Sequence, residues 1–167
     1  MGNLRDLLRM QWMQMFDVEL PQQRFFKPAG NFWEVLQDNT KGVRIMECGC
    51  GSGDTVVEGQ ALGIDIVGCD ITRRTGVPRE RVDHIPAHMV PFSKDLAALV
   101  CRPDHGGWVA DLADLCKEKG ANLIYVGLLK NIISDLEDHV PYMNTLSNKV
   151  GEEGEIMVIL PYGESSE

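Results

Sequence analysis

The chain has 167 residues, enough for one domain with a sizeable core, and 44% of them are apolar, as in an ordinary soluble globular protein. A formal net charge of −9 weighs against binding that works by neutralising phosphates, so nucleic acid is not expected as a partner. Arg5, Asp6 and Arg9 interrupt the first apolar positions, and no run reaches the ~18 apolar residues of a membrane span, so a cytoplasmic protein with no membrane partner is expected.

Residues 3 to 19 place Leu4, Leu7, Leu8, Trp12, Met15 and Phe16 at helical spacing, which predicts an amphipathic leading helix. Pro21, Pro28 and Gly30 break it, and Asn31 starts a second helix carrying Phe32, Trp33, Val35 and Leu36. Residues 1–40 thus read as a helical prelude, and 41–163 as the core of the same domain.

From Val43 onward, short apolar runs alternate with turns and helices, the pattern of an α/β, Rossmann-like, mostly parallel sheet flanked by helices. VRIMEC is the first strand, a short helix follows Gly53 and closes at Gly63, and DIVGCDI is the second strand. VDHIP fits a weaker third strand and LAALVC a fourth. A helix from Trp108 to Lys119 stops at Gly120 before a fifth strand, NLIYVGL. A helix through 132–146 and a last strand, EIMVILP, complete six strands, of about six to seven for the whole sheet. Cys48, Cys50, Cys69, Cys101 and Cys116 are odd in number and sit mostly inside apolar runs, so reduced, buried thiols are expected. No second Cys/His pair at zinc-like spacing accompanies Cys48 and Cys50, and no metal is expected.

The run Glu47-Cys48-Gly49-Cys50-Gly51-Ser52-Gly53 lies between a predicted strand and a predicted helix, where a βαβ sheet opens its ligand crevice. Glycines there let the backbone approach a ligand and take positive φ. A dinucleotide fingerprint would need its third glycine where Asp54 stands, and a carboxylate at that helix start would meet a pyrophosphate as like charge. A cofactor with an ammonium and a sulfonium suits the turn better, with Glu47 attracting positive charge and backbone N–H groups meeting a carboxylate. Asp70, at the end of the second strand, is placed to accept both ribose hydroxyls.

Together, E-C-G-C-G-S-G and V-G-C-D-I-T closely resemble the first two motifs of the class I S-adenosylmethionine-dependent methyltransferases, over residues 43–72. The resemblance implies S-adenosylmethionine as cofactor, held by Glu47, Gly49, Cys50, Gly51, Gly53, Asp70, Ile71 and Arg102. It also implies catalytic or substrate groups after the fourth strand, in Arg102-Pro103-Asp104-His105-Gly106-Gly107-Trp108. Asp104 and His105 are the candidates for removing a proton from the methyl acceptor, Arg102 can alternatively hold an anionic group, and Trp108 can cover a cationic or planar one. As plain structure, Asp104 would cap the next helix and Trp108 would be core. The segment is not the Asp/Asn-Pro-Pro-aromatic signature of amino-group DNA methyltransferases.

His84 and His88 flank Pro86 in a region that borders the adenine in that family. The leading helices, with Trp12, Phe16, Phe25, Phe26 and Trp33, can form a lid or a surface for a second copy or partner subunit. A complete sheet of the family has seven strands ending in an antiparallel hairpin, and only EIMVILP is evident after NLIYVGL, so a trimmed end is expected. An alternative alignment makes NLIYVGL strand four and the GEEGEIMVILPYG segment strand five, with RPDHGGW an insertion. The expected activity is methyl transfer to a small-molecule or protein acceptor. The alternatives are a non-catalytic S-adenosylmethionine-binding module acting through a partner, and a domain for another nucleoside ligand.

Overall fold

The computed structural model describes residues 20–22, 24–104 and 106–164. The leading helix expected over 3–19, with Trp12 and Phe16, lies outside them. Long apolar runs make strands here because both faces of the sheet are covered. Alternate residues of the strands β1 (Arg44–Cys48), β2 (Ile66–Cys69), β3 (Leu96–Cys101), β4 (Leu123–Gly127) and β6 (Ile156–Leu160) enter two separate cores. Met46, Val100, Leu123, Tyr125 and Val158 pack with Leu112 and Cys116 of α3 (Trp108–Lys119). On the other face Ile45, Leu99, Ile124, Val126 and Met157 pack with Phe32 and Leu36 of α1 (Phe32–Asp38) and Val56 of α2 (Asp54–Ala61).

The six strands run in the order β2-β1-β3-β4-β6-β5, where β5 is Asn144–Ser147. β1 to β4 are parallel, β6 is antiparallel to β4, and β5 is antiparallel to β6. The end of the sheet is therefore not trimmed, and the antiparallel edge also removes the alternative alignment in which EIMVILP is a parallel fifth strand. The missing strand is instead the third: at VDHIP only Asp83 pairs with β2, through Asp83 N–H to Gly68 O at 2.9 Å and Asp70 N–H to Asp83 O at 3.0 Å. Polar and proline-broken sequence around it offers no apolar row to extend the pairing.

The helix expected over 132–146 is corrected as well. Helix α4 occupies Leu129–Asp135, a 3₁₀ segment follows over Glu137–Tyr142, and the chain then enters β5. Pro141 cannot continue an α-helix. His139 anchors that 3₁₀ segment from a buried position, with Nδ1 2.6 Å from Tyr162 Oη and Nε2 2.7 Å from Asp114 Oδ1. The other elements fall close to expectation, including the stop of α3 at Gly120.

The described residues 20–22 and 24–29 form a strap across the carboxyl ends of the strands. Leu20 exchanges backbone hydrogen bonds with Arg73 and Thr75 (both 2.8 Å), and Ala29 N–H donates to Val150 O at 2.9 Å. Asn31 does not cap α1 with its side chain; its Oδ1 accepts from Ser147 Oγ at 2.7 Å and so ties the strap to β5.

The closeness of β2 to the start of α2 depends on Gly68, where a Cβ would lie 2.7 Å from Cys50 Sγ and 2.9 Å from a Val56 methyl. Overpacking of this kind costs about 1–3 kcal/mol. Gly68→Ala is expected to lower unfolding stability by that amount in urea titrations, with the slope against denaturant unchanged.

Candidate functional site

The carboxyl ends of β1 and β2 are stitched together by the turn between β1 and α2. Gly49 N–H and Cys50 N–H both donate to Cys69 O, at 2.9 and 3.1 Å. Gly49 and Gly51 adopt φ of 69° and 61°, a region open to glycine at little cost. The turn then turns outward, and Gly51 N–H donates to Asp70 Oδ2 at 2.7 Å while Thr72 N–H donates to Oδ1 at 2.8 Å. Asp70 is thus fixed by two backbone donors, each of which leaves its oxygen a further lone pair. Burial raises its carboxyl above the ordinary range, against those two hydrogen bonds and the nearby Arg74, which lower it.

Above this stitch lies a cavity of about 1050 Å³, lined on one side by Gly49, Gly51, Asp70, Ile71, Pro86 and His88. Its other side is formed by Arg102, Asp104, Trp108, Leu112, Tyr125 and Asn131. A recess of about 40 Å³ opens behind the turn, sharing Arg24, Phe25, Gly49, Gly51 and Cys101 with the cavity and adding Glu47, Cys50 and Asp54. The expected cofactor residues therefore divide: Gly49, Gly51, Asp70, Ile71 and Arg102 face the cavity, and Glu47 and Cys50 face the recess. Gly53 lines neither; it is the N-cap residue of α2 and packs against the side chains of Arg81 and Val82.

Glu47 is 4% exposed, and its Oε1 has no hydrogen-bond partner. It sits on the face of β1 that packs toward α1 and α2, where desolvation pushes its carboxyl up to about 8 despite a hydrogen bond from the Cys101 thiol and the nearby charge of Arg24. Glu47 is thus mostly neutral at pH 7 rather than a standing negative charge. Arg24, which no sequence motif marked, faces cavity and recess from the strap, with Nη1 2.5 Å from Glu58 Oε1 and Nε donating to Phe26 O at 2.9 Å.

After β3 the chain turns sharply. Arg102 has φ 46°, costly for a residue with a Cβ, and is held there by its N–H donating to Val126 O at 2.8 Å and by an ion pair with Glu153 of the β5–β6 loop. Asp104 is not a helix cap, since α3 starts without a side-chain cap. Its Oδ1 accepts from Trp108 Nε1 at 2.8 Å, and the Trp108 ring lies over Gly49, where a Cβ would approach it to 3.3 Å. The expected catalytic pair is thus only half placed: Asp104 is at the cavity, and His105 lies outside the described residues. His88 lines the cavity and His84 does not.

Of the aromatics of the strap and α1, Phe25 lines the cavity, Phe26 is buried in the core, and Trp33 packs over Gly59. Tyr125, Asn131 and Asp135 attracted no functional expectation from sequence. Tyr125 donates its hydroxyl to Asp135 Oδ2 at 2.5 Å, and Tyr125 and Asn131 both line the cavity. All five cysteines are free thiols, and the described residues contain no cluster able to hold a metal ion. No described helix is long and apolar enough to cross a membrane.

No protein-family model and no curated protein matches the chain. Among solved structures it is similar to protein 1320 of Thermoplasma acidophilum, with a TM-score of 0.53, 13% identity and 95% of each chain covered. It is similar also to a structure solved for the conversion of a disulfide bond into a thioacetal group during echinomycin biosynthesis, with a TM-score of 0.54, 8% identity, and 92% of this chain and 89% of that one covered. A third is the 23S rRNA methyltransferase ErmE, with a TM-score of 0.51, 12% identity, and 81% of this chain and 68% of that one covered. At these identities the likeness is one of architecture, and the chain carries the fold of the class I S-adenosylmethionine-dependent methyltransferases, antiparallel edge included.

Proposed function

We propose that the protein is an S-adenosylmethionine-dependent methyltransferase acting on a small-molecule or protein acceptor. The observation that carries this reading is the Asp70 carboxylate, held by Gly51 and Thr72 N–H groups at the wall of the cavity. Its remaining lone pairs suit a pair of ribose hydroxyls. The orphaned Glu47 Oε1 suits an ammonium, and the fit of these two carboxyls to one adenosyl amino acid supports this cofactor over a dinucleotide. Asp54 in the recess supports it too, by opposing a pyrophosphate. Gly49 and Gly51 give the ligand access to backbone, Ile71 offers apolar contact, and Arg24 stands near the amino-acid end.

When bound, this cofactor supplies a methyl carbon made electrophilic by its positive sulfur. The protein's own part is to hold an acceptor in line, exclude water and take a proton. Asp104 is assigned to positioning, because its carboxylate holds the Trp108 ring against the turn. His105 remains a candidate base from its place in the sequence beside Asp104. A second reading, a cofactor-binding module without catalysis, is favoured by one observation: Arg102 and Asp104 already have partners within the protein.

Binding is expected to be linked to protons. Between about 4.5 and about 8, folded protein keeps a proton on Glu47 that the unfolded chain has lost, so stability contributed by this group falls as pH rises through that window. A ligand ammonium favours the ionised carboxylate, so binding expels the proton and tightens as pH rises toward 8. Calorimetry with S-adenosylmethionine and S-adenosylhomocysteine in buffers of different ionisation heat is expected to show both effects. Glu47→Gln should flatten the pH dependence of binding and of the urea midpoint, and Asp70→Ala should weaken binding at least about tenfold, as for a hydrogen bond to a charged group. Absence of heat and of thermal shift with either compound refutes the cofactor assignment; binding without proton release refutes the role of Glu47 alone.

A further inference from the structure

The apolar part of the cavity lining is made by Trp108, Leu112, Leu128 and Phe25, and Tyr125 lines the cavity with them. Tyr125 is 1% exposed yet reaches the cavity, and Gly127 shows how. A Cβ at Gly127 would lie 2.8 Å from Tyr125 Cε1, so the Tyr125 ring runs along β4 through the space a side chain would take, toward the crevice end of the strand. There its hydroxyl meets Asp135 from the end of α4, beside Asn131.

We infer that the methyl acceptor is a neutral hydroxyl or weakly basic aromatic amine compound whose departing proton passes to Tyr125 Oη while the proton of Tyr125 passes to Asp135 Oδ2. This rests on the methyltransferase reading above.

Burial and the adjacent carboxylate push the Tyr125 phenol upward, so Tyr125 is a donor to Asp135 and leaves its oxygen lone pairs for a proton from the cavity. In the step, the acceptor heteroatom uses its electron pair for the new bond to methyl as the methyl–sulfur bond breaks and its electron pair goes to sulfur, leaving a neutral thioether, and the acceptor's N–H or O–H bond breaks toward Tyr125 Oη. The Tyr125 O–H bond breaks toward Asp135, which is half-buried and returns the proton to water. A carboxylate is a weak base. It can take a proton from the oxonium formed when a phenol is alkylated, a strong acid, or from an alkylated anilinium, about as acidic as a carboxylic acid, but it does not deprotonate an aliphatic amine that arrives as ammonium. Anionic acceptors are also disfavoured, because a second negative charge would have to sit against the Asp135 carboxylate that takes the relayed proton.

The test has one arm without cofactor and one with it. Titrating the full chain with 4-nitrophenol, whose absorbance reports the sharing or loss of its proton, is expected to give a red shift that Tyr125→Phe and Asp135→Asn abolish. Asp135→Asn still accepts a hydrogen bond from Tyr125, so a merely structural contact would leave the red shift in place. With radiolabelled S-adenosylmethionine, label is expected on phenol and aniline and not on benzylamine or benzoate. Tyr125→Phe should lower kcat by roughly 10²-fold, with the KM for cofactor unchanged and a rate that now climbs with pH. Label on benzylamine or benzoate, no label on any probe while cofactor binds, or variants that keep the red shift and the pH profile overturn the inference. Failure of the cofactor itself to bind instead refutes the methyltransferase reading.

Discussion

The site rests on the hydrogen bonds that join the ends of β1 and β2 before any ligand arrives. Cys69 O accepts two N–H groups of the turn, and the next donor, from Gly51, reaches Asp70. A carboxylate taken from water must find donors or lose its charge. Here the donors are backbone, so the same few residues that end two strands also fix the direction of the acid. Gly68 is part of this arrangement although it touches no cavity, because any side chain there would push Cys50 and the turn away from β2. Preorganisation of this kind spares a ligand the cost of ordering the groups that bind it.

Burial raises both acids of the site, and the pleat of the sheet gives them different partners. Glu47 follows Ile45 onto the inner face and loses solvent, and one of its oxygens is left without a partner. Asp70 lies beyond the end of its strand, where backbone donors and Arg74 counter only part of the rise that burial causes. One carboxyl therefore waits neutral and the other is set by hydrogen bonds. The difference comes from strand position, since both are acids at the carboxyl ends of neighbouring parallel strands.

What sequence made legible follows from how local each signal is. The turn between β1 and α2, the spacing to Asp70 and the glycine stop of α3 are encoded within a few residues, and each appears in the structure where the letters place it. Strand β5 was hidden because Asn144–Ser147 is short, polar and half-exposed, an edge strand with no apolar row, and it follows residues with helical spacing. The third strand failed for a related reason: VDHIP carries Val82 and Ile85, but its polar and proline-broken surroundings leave Asp83 alone to pair with β2. Arg24 and the Tyr125–Asp135 pair were illegible in principle, since each depends on elements brought together by the fold. The one local clue to Tyr125 was Gly127 two residues on, the same-face vacancy its ring occupies.

The edge hairpin is also part of the site, which explains why a polar loop there is so closely packed. Glu155, at the start of the last strand's approach, is 2% exposed and accepts Glu153 N–H at 2.7 Å. A side chain at Gly151 would collide with the Glu155 carboxylate, at 2.3 Å, so the loop can close over that acid only with glycine. The closed loop presents Glu153 to Arg102, and the ion pair helps hold Arg102 in a backbone conformation that residues with a Cβ adopt at a cost. Strain at the end of β3 is thereby supported from the far edge of the sheet. The turn that carries Asp104 toward Trp108 inherits its direction from that support, so the acceptor wall depends on the hairpin as well as on the strand from which it rises.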